Sequence, residues 1–206
     1  MAPKRIFSGP FAPLSEAARA QSLTAALAAR PEPASDIWVF AYGSLMWHSG
    51  FPHAQVEPAR LDGWHRAMCV WTVLARGTPA CPGLSLGLMP GDSCDGLALR
   101  IAEAAVETAL PTLWQREMWT DVYCPTWLPV TIGDREIAAL TFTTNPESQQ
   151  FAGTLAPPEI VEHIAAAAGE RGPCRDYLVQ TVEKLRAHRI HDPDLEALAE
   201  AVMEHD

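Results

Sequence analysis

The run Ile37-Trp38-Val39-Phe40-Ala41-Tyr42 is followed at once by Gly43-Ser44-Leu45. Six apolar residues in succession lack the alternation of a half-exposed strand and the length of a helix. With two β-branched and three aromatic members, the run predicts a central strand buried on both faces. Gly43 ends it, and a strand that stops at glycine leaves successive main-chain N–H groups free to face an anion. An ordinary strand-to-loop turn explains the same four residues Tyr42-Gly43-Ser44-Leu45, and both readings stand at this point.

Working outward, further strands are expected at Trp64 to Leu74, Leu84 to Met89, Gly96 to Ile101, Val122 to Ile132 and Glu136 to Thr143. Gly91-Asp92-Ser93 reads as a turn between the third and fourth strands, and Gly133-Asp134 as a hairpin between the last two. Glu103 to Trp119 has helical composition interrupted by Pro111, so two segments or a kinked helix are expected. Pro157-Pro158-Glu159 opens a helix that Gly169 closes after Ala168. Arg175 to His188 forms another, and Asp192-Pro193 caps a last one through Met203. Ser15 to Arg30 is a helix ahead of the core, stopped by Pro31-Glu32-Pro33. Strands early and helices late predict an α+β fold on a mixed or antiparallel sheet. The expected organisation is an N-terminal extension, residues 1–36, followed by a single domain, residues 37–206.

Composition narrows the function. The 206 residues carry 15 basic and 25 acidic side chains, a net charge of −10, which disfavours nucleic acid as a partner. No apolar run nears the ~20 residues needed to cross a bilayer. The first thirty residues lack the apolar core of a secretory signal and resemble a transit segment only loosely. Five cysteines without a C-x-x-C pair indicate neither a disulfide framework nor a zinc ribbon, and a reducing cytoplasm fits them. A soluble monomer acting on a small molecule is expected.

Serine-hydrolase elbows, phosphate loops and dinucleotide fingerprints are all missing from the sequence. His48 with His53, and His188 with His191 beside Asp192, lack a third ligand at metal-site spacing and read as surface or capping residues. Glu117 is different. It sits in Leu113-Trp114-Gln115-Arg116-Glu117-Met118-Trp119, where Leu113, Trp114 and Met118 lie close to it on a helical surface. An apolar setting disfavours the ionised carboxylate, which suits a general base working near neutrality. A surface salt bridge to Arg116 is the plainer reading of the same residue.

Taken in order, the motifs resemble the ChaC-like gamma-glutamylcyclotransferases. The resemblance starts with Trp38-Val39-Phe40-Ala41-Tyr42-Gly43-Ser44-Leu45-Met46-Trp47 and Phe51-Pro52. It continues through Arg76-Gly77-Thr78-Pro79, Pro82-Gly83, Gly96, Arg100, Arg116-Glu117 and Phe151-Ala152-Gly153, and finishes with Asp176-Tyr177-Leu178. It spans roughly Ile37 to Leu195.

The resemblance implies a compact mixed sheet with a small barrel-like core and cleavage of glutathione to 5-oxoproline and cysteinylglycine, with no cofactor and no metal. The family's catalytic glutamate falls on Glu117. Its substrate-cradling segment falls on Val39, Phe40, Ala41, Tyr42, Gly43, Ser44 and Leu45, and its late tyrosine on Tyr177. Arg76 and Arg100 are candidate partners for an anionic substrate, with structural ion pairing as the alternative for each. The chain departs from the family pattern at Ala41, at Pro173-Cys174, where polar side chains are usual, and at Met118-Trp119 after the glutamate. A cyclotransferase for other gamma-glutamyl amines, and a non-catalytic binding protein on the same fold, are the rival readings.

Overall fold

The computed structural model describes residues 5–32 and 35–205; Lys4 and Pro33 lie outside these. Five strands close into a barrel in the order β1-β3-β2-β4-β5. They are β1 (Ile37–Ala41), β2 (Gln55–Thr72), β3 (Gly83–Ile101), β4 (Tyr123–Ile132) and β5 (Arg135–Thr144). The helices are α1 (Glu16–Ala28), α2 (Val106–Glu117), α3 (Pro157–Ala166), α4 (Cys174–Ala187) and α5 (Pro193–Met203). The expected α+β class with a barrel-like sheet is the observed one.

β1 is buried at every residue, as its unbroken apolar run requires. It pairs antiparallel with β3, Ile37 opposite Ile101 and Ala41 opposite Leu97. On its other edge it pairs parallel with β5, Trp38 beside Ala139 and Val39 beside Leu140, which closes the barrel. β4 and β5 form a full antiparallel hairpin from Tyr123 opposite Thr144 to Ile132 opposite Arg135, turned at Gly133 with φ +56°.

Several boundaries differ from the sequence reading. The two strands expected at Leu84 to Met89 and Gly96 to Ile101 are one, because Gly91 does not turn the chain. It lies against β2 instead, where the His65 side chain fills the space a side chain would need: a Cβ on Gly91 would lie 2.0 Å from His65 Nδ1. β2 begins at Gln55 rather than Trp64, and its first half buries only Ala59 and Leu61 between exposed neighbours. Pro58 is tolerated at an exposed position there. α2 runs unbroken through Pro111 after a short 3₁₀ turn at Glu103–Ala105. α3 stops at Ala166, two residues before the expected end, because Ala168–Gly169 pairs with Gly172–Pro173 in a small hairpin.

The chain divides into two compact units. One comprises residues 13–66 and 88–145 and holds β1, β4, β5, α1 and α2. Within it α2 buries Leu110, Leu113 and Trp114, and the Trp114 ring meets Phe142 of β5 edge-on at 5.5 Å. α1, capped by Ser15, receives two indole N–H groups: Trp114 donates to Ser22 Oγ at 3.3 Å and Trp127 to the Ala26 carbonyl at 2.8 Å. The other unit comprises residues 1–12, 67–87 and 146–206 and holds α3, α4 and α5. Its α4 buries Tyr177, Leu178, Val182 and Leu185. Among the described residues no helix is long and apolar enough to cross a membrane.

The end of β1 depends on one absent side chain. A Cβ on Gly96 of β3 would stand 2.5 Å from the Ala41 carbonyl oxygen and 2.9 Å from the Phe40 ring. The obstacle is backbone, so Gly96→Ala forces β1 and β3 apart. It is expected to cost about 1–3 kcal/mol of unfolding free energy, read as a lower urea midpoint at unchanged m-value.

Candidate active site

β1 releases the chain into Tyr42 and Gly43, and a 3₁₀ turn over Ser44–Met46 follows. Leu45 and Met46 are buried and fix that turn to the core. The Tyr42 hydroxyl donates to the Phe142 carbonyl at 2.7 Å, so the ring is a structural strut of the barrel. Arg66, buried on β2, donates through Nη1 to the Tyr42 carbonyl at 2.8 Å and through Nη2 to the Asp95 carbonyl. The carbonyl side of the strand end is thereby taken up. The main-chain N–H groups of Gly43, Ser44 and Leu45 have no acceptor among the described residues. Successive amides of this kind suit an anion or a developing oxyanion.

Glu117 closes α2 in the same unit. Its side chain is 13% exposed, and the neighbouring Leu113, Trp114 and Met118 are all buried. Arg116 Nε holds one carboxylate oxygen, Oε1, at 2.9 Å, and Arg116 Nη2 donates to Ser44 Oγ at 2.6 Å. The salt bridge expected as the plainer reading therefore exists, but in a sheltered setting, and it reaches the loop after β1. Burial pushes the Glu117 carboxyl above its ordinary value, more strongly than the Arg116 charge and hydrogen bond draw it down. A carboxylate held in this way is a stronger base than one in water.

The structure thus brings Glu117 and Ser44 together through Arg116, with Gly43 and Leu45 flanking Ser44. Val39, Phe40 and Ala41 lie wholly inside the core and form the barrel wall from which the loop springs. Tyr177 belongs to the other unit, where its hydroxyl accepts from the Leu86 N–H at 3.2 Å. Arg100 is engaged by Asp36, and Arg76 Nη1 donates to the Pro173 carbonyl at 3.1 Å. Both side chains therefore have structural partners. Cys174 donates to the Leu84 carbonyl at 3.1 Å, and burial pushes its thiol up to about 11, which rules it out as a thiolate nucleophile near neutrality. No three His, Cys, Asp or Glu side chains converge as metal ligands among the described residues.

Two contacts of this assembly were not expected from the sequence. Arg66 sits 24 positions from the carbonyl it holds, and Arg116, read only as the neighbour of Glu117, sits 72 positions from Ser44. No local pattern announces either contact.

A family model described as ChaC-like protein matches residues 37–205. The chain is 36% identical over 185 residues to the glutathione-specific gamma-glutamylcyclotransferase of Escherichia coli, covering 89% of this chain and 80% of that protein. It is 27% identical over 192 residues to the protein of the same name in Schizosaccharomyces pombe, covering 80% and 93%. Among solved structures, a gamma-glutamyl cyclotransferase specific to glutathione from yeast superposes with a TM-score of 0.74 at 21% identity. That alignment covers 83% of this chain and 97% of the yeast one, a likeness of fold.

The raised Glu117 pKa has a consequence for stability. The folded chain keeps this proton in a pH range where the unfolded chain has released it, so stability falls as pH rises from about 4.5 through the raised value. Glu117→Gln removes that penalty. The melting temperature of the variant relative to the parent's is expected to climb as the pH rises from about 4.5 and to be constant below it. Thermal melts across pH check this, and parallel melting curves at every pH contradict it.

Proposed function

The chain belongs to the ChaC-like family, and on that premise we propose that it is a glutathione-specific gamma-glutamylcyclotransferase with Glu117 as its general base and acid. The observation that carries the assignment is the sheltered Glu117 carboxylate, tied through Arg116 to the loop whose Gly43, Ser44 and Leu45 amides have no acceptor among the described residues.

The chemistry needs little else. In a gamma-glutamyl amide the substrate's own α-amine reaches its δ-carbonyl and closes a five-membered ring, so neither an enzyme nucleophile nor an activated water is required. Glu117 as carboxylate takes a proton from the α-ammonium. The freed amine attacks the δ-carbon, forming the ring C–N bond, and charge gathers on the carbonyl oxygen. As the tetrahedral intermediate collapses, the original amide C–N bond breaks and Glu117 returns the proton to the departing cysteinyl amine; the ring nitrogen then gives up its second excess proton through the same carboxylate, leaving the lactam N–H and releasing the amine as an ammonium. The products are 5-oxoproline and cysteinylglycine. The amides after β1 supply donors for the substrate carboxylate or for the oxyanion. Holding the flexible glutamyl chain in its attack conformation is the other contribution, worth up to roughly 7–11 kcal/mol in well-oriented intramolecular reactions.

Purified protein mixed with glutathione is expected to release 5-oxoproline and cysteinylglycine, identified by mass, faster than it cleaves gamma-glutamyl-alanine or gamma-glutamyl-lysine. Glu117→Gln keeps the shape of the side chain but loses the carboxylate base, and is expected to lower kcat by about 10²–10⁴-fold with the fold intact. Turnover close to the parent's in that variant would falsify the base assignment. Tyr177 is proposed as a substrate contact on the family motif alone. Tyr177→Phe is expected to raise KM for glutathione more than it lowers kcat, and an unchanged KM removes it from the site.

A further inference from the structure

Arg116 is more than the counter-ion of the proposed base. Its guanidinium uses two separate nitrogens on two separate elements: Nε on Glu117 Oε1 at 2.9 Å and Nη2 on Ser44 Oγ at 2.6 Å. A planar fork fixes the relative orientation of the two groups it bridges, which a point charge does not. The third nitrogen, Nη1, is buried with no partner. A buried donor left without an acceptor is a stability cost, so the arrangement favours the bridge over full satisfaction of the arginine. Glu117 Oε2 has no hydrogen-bond partner among the described residues.

From this geometry we infer that Arg116 is the positioning residue of the site, clamping Glu117 Oε1 to Ser44 so that Oε2 is the oxygen that exchanges the proton and is held in register with the amides beside Ser44. The inference rests on the reading of Glu117 as base. It gives Arg116 two separable duties. Its charge opposes the effect of burial on the carboxyl, and Arg116 is the one charged group acting on Glu117 among the described residues. Its fork sets the direction in which the free oxygen points.

The experiment is the pH profile of kcat/KM for glutathione, with kcat and KM resolved, for the parent, Arg116→Gln, Arg116→Lys and Ser44→Ala. Arg116→Gln removes the charge, so the acid limb is expected to move to higher pH by about 1 unit or more. Arg116→Lys keeps the charge but cannot hold both partners. Its acid limb is expected to stay near the parent's while kcat falls at least about tenfold and KM changes little, the pattern of a misaligned proton carrier. Ser44→Ala releases the far end of the clamp without touching a charge, and is expected to lower kcat severalfold at an unchanged limb. An Arg116→Gln limb coincident with the parent's, or full kcat in Arg116→Lys, overturns the proposal. If the Arg116 variants do not fold, full kcat in Ser44→Ala overturns it instead. Glu117→Gln run alongside separates the two ideas. Retained turnover there defeats the base, whereas its loss together with parent-like Arg116 variants defeats only the clamp.

Discussion

Closure of the barrel through β1 is the constraint on which the site depends. A five-residue strand paired antiparallel on one edge and parallel on the other has no free edge and no exposed face, so its position is set from both sides. The loop from Tyr42 to Met46 inherits that rigidity. It leaves a strand that cannot slide, with its Tyr42 carbonyl held by Arg66 and the Tyr42 ring pinned to Phe142. Amides presented from such a loop are preorganised, which gives main-chain donors their effect on developing charge.

The electrostatics are local rather than global. A chain of net charge −10 does not attract an anionic peptide by its overall field. Binding of the proposed substrate therefore falls to short-range donors, and the N–H groups of Gly43, Ser44 and Leu45, which have no acceptor among the described residues, are donors of that kind. Arg100 and Arg76 are held by Asp36 and by the Pro173 carbonyl, partners close to their own strand or loop framework. Arg116 directs its charge at Glu117. The same cation that makes a buried carboxylate tolerable also keeps its proton affinity from rising as far as burial alone would take it.

How much of this was legible in the sequence depends on the range of each interaction. β1 was readable because burial on two faces writes itself as consecutive apolar residues, and the β4–β5 hairpin because Gly133-Asp134 punctuates two β-rich runs. The first half of β2 was not, since Pro58 and Gly63 interrupt a segment that buries only alternate small stretches. Gly91 misled for a related reason: glycine serves a turn and a close backbone approach equally well, and only the position of His65 distinguishes them. In the site, Glu117 stood out because its apolar neighbours are one helical turn away or adjacent. The bridge from Arg116 to Ser44 did not, because the two lie 72 residues apart and nothing in the intervening sequence records their meeting.

The proposed reaction explains why the usual signatures of a hydrolase are missing from the sequence. A substrate that carries its own nucleophile asks for one proton acceptor of raised affinity, a place for charge on the carbonyl oxygen, and a cavity wall that enforces the folded conformer of the glutamyl chain. None of these needs a nucleophilic side chain activated by a histidine. Burial lifts the Glu117 pKa and the Arg116 charge draws it partly back, so the two opposing influences are parts of one device for the proposed base. Burial comes from Leu113, Trp114 and Met118 on and beside α2, and the cation is the residue before the glutamate. Two adjacent positions at the end of one helix therefore carry both the proposed base and the charge that opposes its burial, and the Ser44 contact ties them to the loop that bears the amides.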